Sequence, residues 1–132
     1  MALSPIAGVL QAALADIPGL AAAYLFGSTA RGDARPDSDV DLGLLYVTEP
    51  PATLAGQPFD LADALSRGCG RAVDLVVLNT APADLRMRVL REGLLLVERD
   101  PGVRVRFEVA TRNEYFDLEP ILREYRRPRR TA

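Results

Sequence analysis

Two carboxylates one residue apart, Asp39 and Asp41, open an apolar run, Val40 to Val47. Ten residues separate Asp39 from Gly27-Ser28, which closes an earlier apolar run, Leu20 to Phe26. These residue types suit a phosphate ester held with a divalent metal. Glycine lets a backbone turn approach an anion, and backbone N–H groups and the Ser28 hydroxyl can donate to phosphate oxygens. A short helix starting near Ser28 would add a favourable dipole. Arg31, in the same polar loop, is placed to neutralise phosphate charge. Magnesium takes hard oxygen ligands, commonly one or two carboxylates plus substrate phosphates. Residues at alternate positions of a strand share one face, so Asp39 and Asp41 point the same way. Two such carboxylates repel unless a cation sits between them. A third acid, Asp74, interrupts the apolar run Arg71 to Asn79. Set beside the first two, it would complete a three-acid site able to hold two metals.

Composition removes competing chemistries. The 132 residues contain no histidine and a single cysteine, Cys69. Ser-His-Asp and Cys-His hydrolases and His-liganded zinc are therefore excluded, and no disulfide can form within the chain. Cys69, between Gly68 and Gly70, reads as a small packing residue, and a reducing cytoplasm is the expected compartment. Sixteen basic residues, all arginine, against eighteen acids give a net charge of −2. No global basic field favours direct nucleic-acid binding. The apolar N-terminal stretch lacks a basic start and reads as a helix, and no run is long enough for a membrane span.

The elements that must position these residues follow from periodicity. Ser4-Pro5 is a helix start, and Ile6, Val9, Leu10, Leu14 and Ile17 recur at helical spacing up to Pro18-Gly19. Strands are predicted at 20–26 and 39–47, the second sending Val40, Leu42 and Leu44 into the core. The stretch 48–58, with three prolines, reads as a surface loop. A helix over 60–66, a strand over 71–79, a helix from Ala81 to Glu92 and a short strand over 94–97 follow. Arg86, Arg88 and Arg91 read as a solvated helix face. From Val103, Phe107, Ala110, Leu118, Leu122 and Tyr125 fall near one helical face, with a kink or restart at Pro120. Residues 126–132 read as a flexible basic tail. The class is α/β (α+β): one domain over 1–132, with a small mixed sheet of about four strands flanked by helices and closed by a C-terminal helix.

Gly27-Ser28, ten intervening residues and Asp39-Val40-Asp41 resemble the motif of the DNA polymerase beta-like nucleotidyltransferase superfamily. Arg31-Gly32 and Ser38 within this stretch, Asp74 in VDLVVLN, and the segment FEVATRNEYFDLEPILREYRR are similar to its minimal nucleotidyltransferase (MNT) branch, and in particular to the antitoxins of HEPN–MNT toxin–antitoxin pairs. The resemblance implies a nucleotidyltransferase fold and a Mg²⁺-dependent protein adenylyltransferase. Such an antitoxin moves AMP from ATP to a tyrosine of a cognate HEPN-type RNase toxin, with which it forms a hetero-oligomer. Gly27, Ser28 and Arg31 would hold the triphosphate; Asp39, Asp41 and Asp74 would hold two Mg²⁺ ions, and Asp74 would help activate the acceptor hydroxyl. Two other readings stay open at this point. One is an antitoxin acting by occlusion without catalysis. The other is a small-molecule nucleotidyltransferase of the aminoglycoside type, for which the chain lacks room for an acceptor domain.

Overall fold

The computed structural model describes residues 5–27, 39–48 and 57–126. Its elements are α1 (Pro5–Leu14), β1 (Leu20–Phe26), β2 (Val40–Tyr46), α2 (Gln57–Cys69), β3 (Val73–Val77), α3 (Ala83–Glu92), β4 (Leu94–Glu98) and α4 (Pro101–Arg126). The strands form one mixed sheet in the order β3-β2-β1-β4. β1 is antiparallel to both neighbours, and β2 and β3 run parallel. The expected class, strand number and C-terminal helix are all present.

β1 is the centre because nothing along it is polar enough to need water. Its seven residues, LAAAYLF, are all buried. Such a run fits a strand covered on both faces. Two apolar clusters supply those covers. On one face Leu10, Leu14, Leu25, Val40, Leu42, Leu44 and Leu65 meet, drawing in α1 and α2. On the other, Tyr24, Phe26, Leu45, Leu78 and Val89 meet beneath α3 and α4. Val40, Leu42 and Leu44 are fully buried, as the alternation along β2 predicts.

Polar side chains tie the ends of the elements. Ser66 Oγ donates to the Ala62 carbonyl (2.7 Å) and accepts from Val73 N (3.0 Å), so α2 fixes the start of β3. The Asn79 carboxamide accepts from Tyr46 N and donates to the Tyr46 carbonyl, both at 2.9 Å. It thereby continues the parallel pairing one step past β3. Asp100 caps α4, its Oδ1 accepting from Val103 N (3.1 Å), and Pro101 takes the first helical position, where no N–H is missed.

Several boundaries and faces differ from the periodicity. α1 ends at Leu14, four residues before Pro18. Val9 is 45% exposed because it lies about 115° around the helix from the mean direction of Ile6, Ala7, Leu10 and Leu14. α2 begins at Gln57 and runs to Cys69, taking in residues read as loop and passing through Gly68. α4 shows no break at Pro120 and continues to Arg126. Its buried face is Thr111 and Tyr115, with Val103, Phe107 and Leu118 partly covered; Ala110 is exposed, roughly a quarter turn away. Thr111 escaped the apolar pattern because it is polar. Of the basic tail, Arg126 belongs to α4, and residues 127–132 lie outside the described residues. Among the described residues no helix is long and apolar enough to cross a membrane.

Candidate active site

The acids gather where β1 ends and β2 and β3 begin. Phe26, the last residue of β1, is the register partner of Asp41. Asp41 in turn is the register partner of Asp74 on the parallel strand β3. Paired residues on adjacent strands face the same side, with backbones about 4.8 Å apart. Asp39 stands immediately before β2, and Val40 N donates to the Ala72 carbonyl at 2.8 Å, anchoring this end of the pairing. Asp39, Asp41 and Asp74 therefore share the face on which α3 packs. Asp39 and Asp74 are exposed and Asp41 is half-buried. An acid inside an apolar run suggests burial, but β3 is an edge strand and Asp74 reaches solvent.

Gly27 adopts the left-handed backbone conformation, with φ of 74°. A side chain here would be strained whatever the space. There is also no space, because an added Cβ would overlap Asp41 Oδ2 and lie 3.3 Å from its Cγ. The glycine thus does two things: it turns the chain out of β1 and leaves room for the Asp41 carboxylate. The remaining expected phosphate-binding residues, Ser28 and Arg31, lie outside the described residues.

The donor set fits a divalent cation in kind. It is all hard carboxylate oxygen, two acids alternate on one face, and a third is in register on the next strand. Among the described residues no three acidic, histidine or cysteine groups draw together as a ready-made metal cage. Magnesium does not require one, since it commonly takes one or two carboxylates and completes its shell with substrate phosphates and water.

The rim of this site was not legible from spacing. Of the three arginines of α3, Arg88 and Arg91 are exposed as expected, and Arg86 is not. Arg86 is ion-paired to Glu114 and its side chain is only 15% exposed. The Arg88 guanidinium sits over the Phe26 ring at 5.9 Å and that of Arg91 over Tyr115 at 5.3 Å. Each distance is within cation–π range. Gly93, at the end of α3, approaches β1 so closely that a Cβ would lie 3.3 Å from the Leu25 carbonyl oxygen. The C-terminal turn of α3 is therefore held against the last residues of β1, beside Gly27. A signal was available in the sequence: an aromatic residue immediately before the Gly27 turn offers a platform for a cation.

Beneath α4, Tyr24 donates to Glu108 (2.8 Å), and Arg104 pairs with both Glu108 and Glu98. Burial and this hydrogen bond to Glu108 push the Tyr24 phenol well above its ordinary range. It is a neutral structural donor.

The sequence matches the family model Polymerase beta, Nucleotidyltransferase over residues 10–102. That segment contains Gly27, Asp39, Asp41 and Asp74, and the chain belongs to this family of nucleotidyltransferases. A comparison with curated protein sequences finds no match. Among solved structures, the chain is similar to a toxin–antitoxin crystal structure with AMP-PNP (27% identity, TM-score 0.73, covering 90% of this chain and 97% of that one). It also resembles a mutant MntA-HpeT toxin–antitoxin complex (26% identity, TM-score 0.69, 89% and 95%). An MNT antitoxin in complex with a tri-AMPylated HEPN toxin from Shewanella oneidensis shares the fold (24% identity, TM-score 0.65, 91% and 95%).

Proposed function

We propose that this protein is the antitoxin of a HEPN–MNT pair, a single minimal nucleotidyltransferase domain that transfers AMP from ATP to a tyrosine of a HEPN-type RNase toxin. The observation that carries the reading is the register of Asp41 with Asp74, with Gly27 opening the space beside Asp41. The similarity to toxin–antitoxin structures, one with AMP-PNP, supports the donor and the partner. The acceptor tyrosine follows from the sequence resemblance.

Gly27 and Ser28 would receive the triphosphate, with Arg31 offsetting its charge. Asp39 and Asp41, with Asp74, would hold Mg²⁺, which supplies charge neutralisation at the phosphates and lowers the pKa of a coordinated hydroxyl. The tyrosine oxygen attacks the α-phosphorus. A new P–O bond forms, the bond to the β-phosphate oxygen breaks, and pyrophosphate leaves. Asp74, being exposed, is open to the incoming hydroxyl and takes its proton. A cytoplasmic setting, where Cys69 stays a free thiol, suits the reaction.

The test is transfer of label from α-labelled ATP, with Mg²⁺, to the cognate toxin. Label on a toxin tyrosine is expected, and it should disappear with Asp39→Ala/Asp41→Ala. A folded protein that transfers no label would refute the enzymatic reading.

Occlusion is a second reading, favoured by one observation. Val105, Val109 and Phe116 on α4 are 48%, 51% and 61% exposed and lie within about 40° of one another around the helix. A partner covering this stripe would bury apolar surface without chemistry. It predicts that the same double variant still protects cells from the toxin.

A further inference from the structure

We infer that Arg88 is a triphosphate-binding residue, placed by α3 at the rim of the site over Phe26, the residue before Gly27. The inference rests on the nucleotide-transferring reading above and adds a residue that reading did not contain. Three features converge on it. Its guanidinium lies over Phe26. Phe26 and Asp41 are directly paired across β1 and β2, so their Cβ atoms are about 5 Å apart on one face. The end of α3 is fixed against β1 by the close approach at Gly93. The cation is therefore held on the face of the sheet that carries the acids, over the residue paired with Asp41.

Its surroundings suit a ligand role better than a purely structural one. The side chain is 52% exposed, so it contributes little to the core. Its Nε donates to Glu92 Oε2 at 2.8 Å. That contact engages the Nε–H, and the planar group also carries an NH1–NH2 edge. Such an edge matches two phosphate oxygens at once, which an ammonium does not. The Phe26 ring below limits the rotamers, so less freedom is lost when an anion arrives. An exposed i,i+4 pair, in contrast, would contribute little to stability and nothing to ligand choice. The neighbouring arginines are engaged elsewhere, Arg86 with Glu114 and Arg91 with Tyr115.

The experiment measures binding of ATP and of AMP, each with Mg²⁺, to the wild-type protein, Arg88→Gln, Arg88→Lys and Arg67→Gln. Arg67 is an exposed control on α2, on the opposite side of the sheet, paired with Asp63. Loss of a charge-assisted contact should weaken ATP binding by about ten- to a hundredfold in Arg88→Gln. AMP binding should change less than threefold, because the β- and γ-phosphates are the groups contacted. Arg88→Lys should recover part of the loss, and Arg67→Gln should match the wild type. Thermal melts within a few degrees of wild type would show that the variants fold. Equal ATP affinity in wild type and Arg88→Gln would overturn the inference while leaving the functional reading intact. Equal losses for ATP and AMP would also overturn it, showing a general effect on the site. A wild-type protein that binds no ATP would remove the functional reading, and this one with it.

Discussion

Replacing Gly27 with alanine separates a backbone cost from a site cost. Gly27 and Gly70 have nearly the same left-handed conformation, at φ of 74° and 72°. An alanine in that region costs about 1–2 kcal/mol at either position. For a chain of this size that corresponds to a fall in Tm of roughly 3–10 °C. The side chains meet different surroundings. At Gly70 an added Cβ finds nothing within 4 Å, whereas at Gly27 it overlaps the Asp41 carboxylate. Gly70→Ala should therefore lose stability only. Gly27→Ala should lose a similar amount of stability and also displace Asp41. A displacement near 1 Å at a reacting centre can lower the rate on the order of a hundredfold. The assay is a pair of thermal melts beside Mg²⁺-dependent AMP transfer to the toxin, measured well below either Tm. If Gly27→Ala transfers AMP as fast as Gly70→Ala, Asp41 is not where the chemistry occurs and the reasoning from the Gly27 contact fails.

Other outcomes follow from the packing. Thr111 is fully buried on α4, and its Oγ1 has no hydrogen-bond partner among the described residues. Thr111→Val keeps the shape and removes the unsatisfied hydroxyl, so it should stabilise the protein by about 1 kcal/mol in urea melts. Tyr24→Phe deletes the 2.8 Å bond to Glu108 and should cost about 1–2 kcal/mol at neutral pH. It should also alter the alkaline limb. The folded-state pKa of Tyr24 is raised, through burial first and then Glu108. Its stabilisation is therefore complete below the unfolded value near 10 and is lost as pH rises above it, where only the unfolded chain releases the proton. Above that pH, wild-type stability should fall more steeply than that of Tyr24→Phe, by up to about 1.4 kcal/mol per pH unit.

Much of this arrangement was readable along the chain because short-range chemistry determines it. The uninterrupted apolar run 20–26 is short enough for a buried strand, and the structure covers it on both faces. The alternation from Asp39 to Leu44 placed two acids on one side and three aliphatic residues on the other. What spacing could not supply was cross-strand register, which brings Asp74 opposite Asp41 through a parallel pairing some thirty residues apart. Nor could it show that β3 lies at an edge, which makes Asp74 accessible. Spacing marked Arg88 and Arg91 as solvated, which they are, but it could not show their ring contacts, because a guanidinium can lie on an aromatic ring and keep its charge near water. A pattern of polar positions looks the same in either case. Thr111 was missed for the opposite reason, since a buried hydroxyl breaks the apolar pattern without breaking the packing. The start of α2 at Gln57-Pro58 was hidden by proline, which is compatible with a first helical turn.

The most direct measurement is the intact mass of the cognate HEPN toxin, purified from cells that also produce this protein. With the wild-type protein, the toxin should carry one or more additions of the mass of AMP, located on tyrosine. With Asp39→Ala/Asp41→Ala, its mass should be unmodified. A toxin silenced by the wild-type protein yet unmodified in mass would contradict the account, as would one still AMP-modified by the double variant.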